Sequence, residues 1–158
     1  IIGALINGIV YRKLKVNDHF DGIEEKELQE KQFDLSSIVL DSALSIISVG
    51  TIIAIFFVVI TSLSPILNLF SPNISSLLEG LIEITRGCLD ISNSYGNIWA
   101  VVACTFVISF GGISTILQSI TMLNDLKMPI KIFVLQKFTH AIFATIISVL
   151  IILFFFII

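Results

Sequence analysis

The chain has 158 residues, of which 56% are hydrophobic and 13% are charged, and its net charge is −3. Soluble domains carry about 25% charged residues, so this composition excludes an ordinary soluble enzyme and a disordered chain. The acidic balance excludes nucleic-acid binding, which needs a basic surface. Two cysteines form neither a disulfide framework nor a metal-ligand set, and no cofactor is expected. The composition predicts an integral membrane protein.

The chain opens with a short apolar run, Ile1–Val10, that is too short to span a bilayer alone. No initiator methionine and no basic region precede it, so it is not a signal peptide. We interpret residues 1–11 as the end of a truncated transmembrane span, in a chain whose N-terminal part is missing. Residues 12–35 hold 12 of the 21 charged residues and predict a polar cytosolic linker. The alternative is a regulatory or partner-binding arm.

Three stretches without Asp, Glu, Lys or Arg are long enough to span, namely Ser42–Leu63, Ile98–Leu123 and Phe138–Ile158, the last interrupted only by His140. Basic clusters at residues 12–15 and 127–137 should lie on the same, cytoplasmic side. The two spans between these clusters already return the chain to that side, so Ser75–Asp90 should not cross. The predicted fold is an all-α, polytopic transmembrane helical bundle. It contains a broken helix and a re-entrant or interfacial amphipathic helix, with residues 36–158 as its transmembrane domain.

A helix over residues 77–90 places four charged residues within about a 60° wedge. They are Glu79, Glu83, Arg86 and Asp90. Ionisable groups at membrane depth cost roughly 2.5–3.5 kcal/mol each and tend to be functional. The pattern favours a helix that presents charges to a membrane-embedded cavity, and the alternative is an interfacial helix with its charges in water. Arg86 can pair with either Glu83 or Asp90.

Two adjacent glycines interrupt the apolar stretch Ile98–Leu123 near its midpoint. Unwound backbone at membrane depth exists only where it is buried or lines a cavity, and broken helices mark transporter sites. The half-helix that begins after the glycines would aim free N–H groups at an anion, while carbonyls before them would face a cation or a donor. The candidate substrate-binding residues here are Ser109, Gly111, Gly112, Ser114, Thr115 and Gln118. The alternative is close helix packing through small residues.

Gln136, Thr139 and His140 open the last span on one face. Because histidine titrates near physiological pH, Gln136 and His140 are candidate gate residues; the alternative is a hydrogen-bonded interfacial histidine. Neither a Ser–His nor an Asp–Asp pair has catalytic spacing, so we do not expect an enzyme.

Two motifs in this order resemble a known family. Residues 77–92 read LLEGLIEITRGCLDIS and residues 109–119 read SFGGISTILQS. Together they resemble the sporulation integral membrane proteins of the YlbJ type, which carry the nucleoside-recognition Gate domain. The tail LQKFTHAIFA at residues 135–144 is similar to that family's last segments. The resemblance covers roughly residues 35–158. The positions that match the two motifs are Glu79, Glu83, Thr85, Gly87, Ser109, Phe110, Gly111, Gly112, Ser114 and Gln118.

The resemblance implies transport of a small anionic solute, dipicolinic acid, during endospore formation. The expected location is the bacterial cell membrane, specifically the outer forespore membrane. Expected partners are the solute, the bilayer, the missing N-terminal half of the same chain and further copies in an oligomer. We hypothesise that Glu83 pairs with Arg86, and that Glu79 binds a proton or the ring nitrogen of the solute, with a coupling proton or cation. Alternatives are a nucleoside-type permease and a membrane scaffold in spore assembly that transports nothing.

Overall fold

The computed structural model describes residues 1–13, 35–122 and 129–157, and every regular element in these ranges is an α-helix. The helices are α1 (Ile2–Tyr11), α2 (Leu35–Leu67), α3 (Pro72–Ile82), α4 (Ile84–Ser94), α5 (Asn97–Phe110), α6 (Gly112–Met122) and α7 (Ile130–Ile157). The all-α fold is therefore confirmed. Most of the predicted linker over residues 12–35 lies outside the described residues.

Three segments are long and apolar enough to cross a membrane, judged by length and composition. They are Leu35–Leu67, Asn97–Met122 and Ile130–Phe155. Each covers most of one predicted span and begins earlier than predicted. The exposed apolar side chains that cover α2 and α7 fit helices that face lipid. The chain is thus a membrane protein with three candidate spans in its described parts.

The segment between the first two spans folds back on itself as an antiparallel hairpin of α3 and α4. Tyr95, just after α4, donates a hydrogen bond from its hydroxyl to the carbonyl of Asn73, at the start of α3, over 2.8 Å. Further along, the backbones of Gly80 and Gly87 contact each other directly. Glu83 lies at the turn in extended conformation, with φ −142° and ψ 125°. The prediction of one continuous helix over residues 77–90 is wrong, whereas a hairpin is what a re-entrant element requires.

Helix α5 packs antiparallel to α7 through three aromatic rings. Phe138 meets Phe106 and Phe110 edge-on, with ring centroids 6.3 Å and 6.4 Å apart. Edge-to-face pairs of this kind add about 0.5–1.5 kcal/mol beyond the area they bury. The face of α7 that carries Phe138 therefore packs against α5, the helix that precedes Gly111 and Gly112.

Helix α1 packs antiparallel to α7 on another side. Thr139 donates a hydrogen bond to Asn7 Oδ1 over 2.8 Å, and Asn7 Nδ2 donates to the carbonyl of Gln136 over 3.1 Å. Arg12 and Lys13 follow α1 directly. They therefore lie at the end of the bundle where α7 begins.

Candidate functional site

The turn of the hairpin is stabilised by the carboxylate of Glu83. Its two oxygens accept the backbone N–H groups of Thr85 and Arg86 over 3.0 Å and 2.9 Å. These groups are the free donors at the start of α4, where a negative charge also complements the helix dipole. Glu83 is 2% exposed. The chain therefore leaves its helix at Glu83 because the side chain caps the next helix.

The second break separates α5 from α6, as the glycine pair predicted. Gly111 has φ +95° and Gly112 has φ +61°, both in the left-handed region. The N–H of Gly111 closes α5 by a 2.9 Å hydrogen bond to the carbonyl of Val107. Two successive positive φ values strain any residue with a Cβ atom, so this break depends on glycine.

The two breaks contact each other. A Cβ atom added to Gly112 would lie 3.2 Å from the carbonyl oxygen of Gly80 and 3.4 Å from that of Ile82. A Cβ atom added to Gly80 would meet Val107 of α5 at 2.9 Å. The tip of the hairpin therefore packs directly against the break between α5 and α6. At Gly80 and Gly112 there is no space for a side chain.

Beside this contact, one guanidinium is held by two carboxylates and a hydroxyl. Arg86 Nε lies 3.4 Å from Glu79 Oε2 and 3.7 Å from Asp90 Oδ2. Its Nη1 donates a 3.0 Å hydrogen bond to Thr61 Oγ1 of α2. The pairing with Asp90 was one of the two predicted. The hypothesised pairing with Glu83 is replaced by Glu79, since Glu83 is occupied by backbone N–H groups.

The site also contains buried oxygens without a hydrogen-bond partner. Within the described ranges, Ser114 Oγ and Glu79 Oε2 are buried and make no hydrogen bond, although Glu79 Oε2 keeps its ion pair with Arg86. The other oxygen of Glu79 is 3.4 Å from the hydroxyl of Ser75. Buried polar groups are nearly always paired, so unpaired ones indicate a water, an ion or a ligand. Ser114 is 1% exposed and lies in the first turn of α6.

The charge balance of this cluster is negative. Glu79, Glu83 and Asp90 face a single cation, Arg86. Burial, followed by the neighbouring carboxylate of Asp90, raises the pKa of Glu79 above its usual range, against the opposing effects of Arg86 and Ser75. The hairpin that carries Glu79 is not one of the three candidate spans. The arrangement thus makes Glu79 easier to protonate than a glutamate in water.

Other predicted residues lie away from the carboxylates. Ser109 and His140 line a cavity of about 730 Å³ between α1, α5 and α7. Gln136 and His140 also line a smaller cavity of about 180 Å³ between α1 and α7. Gln118 is half-buried on α6, and its side chain makes no hydrogen bond in the described part of the chain. Thr115 lies 3.8 Å from where a Cβ on Gly111 would stand.

Three residues of this region were missed by sequence reasoning. Ser75 lies one helical turn before Glu79, a local spacing that could have identified it. Thr61 and Lys137 reach the site from α2 and α7, and no local pattern indicates such long-range contacts. Within the described ranges, no group of three or more His, Cys, Asp or Glu side chains is arranged to hold a metal ion.

No family model, curated protein or solved structure matches the chain. The resemblance to the YlbJ-type proteins therefore rests on the two motifs and the tail at residues 135–144. The function has to be argued from the geometry of the hairpin and the broken helix.

Proposed function

We propose that this membrane protein is part of a transporter for a small anionic solute. The resemblance of the two motifs favours dipicolinic acid, moved across a bacterial membrane during endospore formation, the outer forespore membrane in particular. The single observation that carries the transport proposal is the contact between the two chain breaks. Gly112 lies against the carbonyls of Gly80 and Ile82 at the hairpin tip. Transporters commonly place their substrate sites at discontinuous helices of this kind.

The polar groups around this contact support binding rather than packing alone. A packing contact would leave no buried oxygen without a partner, because an unsatisfied polar group costs about 1–3 kcal/mol. Here Ser114 Oγ has no polar partner in the described residues, and Glu79 Oε2 has no hydrogen bond beyond its 3.4 Å ion pair with Arg86. Ser114 stands where α6 begins, and the N–H groups of a helix start attract anions.

The carboxylates favour transport that is coupled to a proton over uncoupled transport of the solute. Arg86 is already held by Glu79, Asp90 and Thr61. A dicarboxylate that approaches Glu79 would be repelled unless a proton neutralises this side chain. We therefore assign the coupling proton to Glu79. Alternating access then comes from rocking of the hairpin against the α5–α6 break.

Uptake into liposomes tests the proposal. The purified protein is reconstituted, and labelled dipicolinate and labelled uridine are offered in parallel with and without a pH gradient. Ser114→Ala is expected to lower uptake about two- to tenfold, the value of one lost hydrogen bond. Ser119→Ala is the matched control, because its hydroxyl already donates to the carbonyl of Thr115 within α6 over 2.8 Å. Glu79→Gln is expected to abolish the response to the pH gradient.

The outcomes separate the alternatives. Uptake of uridine alone would keep the architecture and identify a nucleoside-type permease. No uptake of either compound by folded protein would overturn transport and support the scaffold. A response to the pH gradient that is unchanged in Glu79→Gln would overturn the assignment of the coupling proton to Glu79.

A further inference from the structure

Lys137 of α7 places a positive charge on the other side of the α5–α6 break. Its Nζ lies 3.9 Å from the position that a Cβ on Gly111 would occupy, and 5.7 Å from the centroid of the Phe133 ring. The residue is half-buried. Across residues 1–13, 35–122 and 129–157, no carboxylate lies within ion-pair distance of this ammonium. A partly buried cation without a counter-ion is costly, so its surroundings should accommodate an anion.

Lys137 also lines a small cavity between α1 and α7. It has a volume of about 180 Å³ and is lined by Ala4, Asn7, Phe133, Gln136, Lys137 and His140. None of these side chains is acidic. The ammonium, the amide of Gln136 and an imidazole N–H can all donate to a ligand, while Phe133 supplies an apolar wall. The amide of Asn7 is already used, since it donates to the carbonyl of Gln136 over 3.1 Å.

The competing role for Lys137 is structural. Helix α5 ends at Phe110, and a lysine near the last carbonyls of a helix stabilises them. That role requires the charge but no cavity and no further donors. A purely structural role does not explain why Gln136 and His140 line the same small cavity as Lys137, whereas a ligand-binding site does.

We infer that Lys137, Gln136 and His140 form a binding site for an oxyanion, the carboxylate or phosphate group of a free solute or of an anionic lipid. For a free carboxylate this deepens the proposed function, because it supplies the cation that Arg86 does not offer. Planar carboxylates and tetrahedral phosphates both accept several hydrogen bonds from such donors. The site differs from a gate, since its residues bind the ion rather than only obstruct its path.

Binding is measured without transport, so that this inference and the proposed function can fail separately. The purified protein in phosphatidylcholine nanodiscs is titrated with dipicolinate and with inorganic phosphate by calorimetry. In a second arm, phosphatidylglycerol replaces part of the lipid, and native mass spectrometry counts the lipids that the protein retains. The variants are Lys137→Gln, Lys137→Arg, and Lys131→Gln as the matched control. Lys131 is an exposed lysine on the same helix that does not line the cavity.

We expect at least one probe to bind wild-type protein, with a Kd that rises tenfold or more in Lys137→Gln. Lys131→Gln should bind as wild type, and Lys137→Arg should retain most of the affinity. Loss of the free anions in Lys137→Gln assigns the site to a solute, and loss of retained phosphatidylglycerol alone assigns it to a lipid. Equal binding by Lys137→Gln and wild type, or no binding of any probe by folded wild type, would overturn the inference. A lower Tm of Lys137→Gln with unchanged binding would leave only the structural role.

Discussion

Replacing Gly87 with alanine tests whether close backbone contact holds the hairpin together. The new methyl group would overlap the backbone of Gly80 and come within 3.0 Å of the carbonyl carbon of Glu79. Because its neighbours are backbone atoms, no side-chain rotation relieves the overlap, and α3 and α4 must separate. Overpacking costs about 1–3 kcal/mol, and the separation also disturbs the contacts of Gly80 with Val107 and Gly112, which favours the upper half of that range. For a chain of this size, the loss corresponds to a fall in Tm of about 4–12 °C.

The measurement is thermal unfolding of the purified protein in detergent, followed by intrinsic fluorescence. Gly50→Ala is the matched control, because a Cβ there meets no atom within 4 Å. Gly50 lies inside α2, where alanine gains about 0.5–1 kcal/mol over glycine, so this variant should be slightly more stable. A Gly87→Ala protein that unfolds at the wild-type temperature would refute the backbone contact and, with it, the hairpin geometry of the site.

Further predictions concern the charged residues of the site and the hydrogen bonds between α1 and α7. Since the pKa of Glu79 is raised above its usual 4.5, the folded protein holds this proton to higher pH than the unfolded chain does. The contribution of Glu79 to the free energy of unfolding is therefore fully present below about pH 4.5 and is lost as the pH rises through the raised pKa. Glu79→Gln should remove this slope in Tm measured against pH. Arg86→Gln leaves two carboxylates without their cation, so it should lower the Tm more than Asp90→Asn, and equal effects would contradict the geometry. Thr139→Ala and Asn7→Ala should each cost about 1 kcal/mol in urea unfolding. The double variant should lose less than the sum, because the two side chains share one hydrogen bond.

Features governed by composition and local sequence could be predicted. Three stretches without Asp, Glu, Lys or Arg predicted the three candidate spans, since burying an ionised side chain in lipid is costly. The break at Gly111 and Gly112 follows from the conformational freedom of glycine. The positions of the lysines and arginines predicted that Ser75–Asp90 does not cross, and α3 and α4 are not among the three candidate spans.

The position of the hairpin turn could not be predicted in the same way. The spacing of Glu79, Glu83 and Arg86 fits one face of a continuous helix, and glutamate is not among the preferred N-cap residues. The available signal was the pair Gly80 and Gly87, which flank Glu83 at nearly equal distances and allow two helices to touch. The partners of Arg86 could not be settled either, because they depend on where the helix breaks. Lys137 was beyond local reasoning, since α7 meets the break only in the folded chain.

The two proposals place opposite charges on opposite sides of one interruption. At Gly112 the break faces the hairpin, to whose Glu79 we assign the proton, while at Gly111 it faces Lys137, to which we assign the oxyanion. The two glycines are adjacent, so a shift of the break relative to the hairpin also changes its relation to α7. Proton and anion binding would then be coupled through a single backbone element. By linkage, any factor by which protonation of Glu79 raises the affinity for the anion must equal the factor by which the anion raises the affinity for the proton.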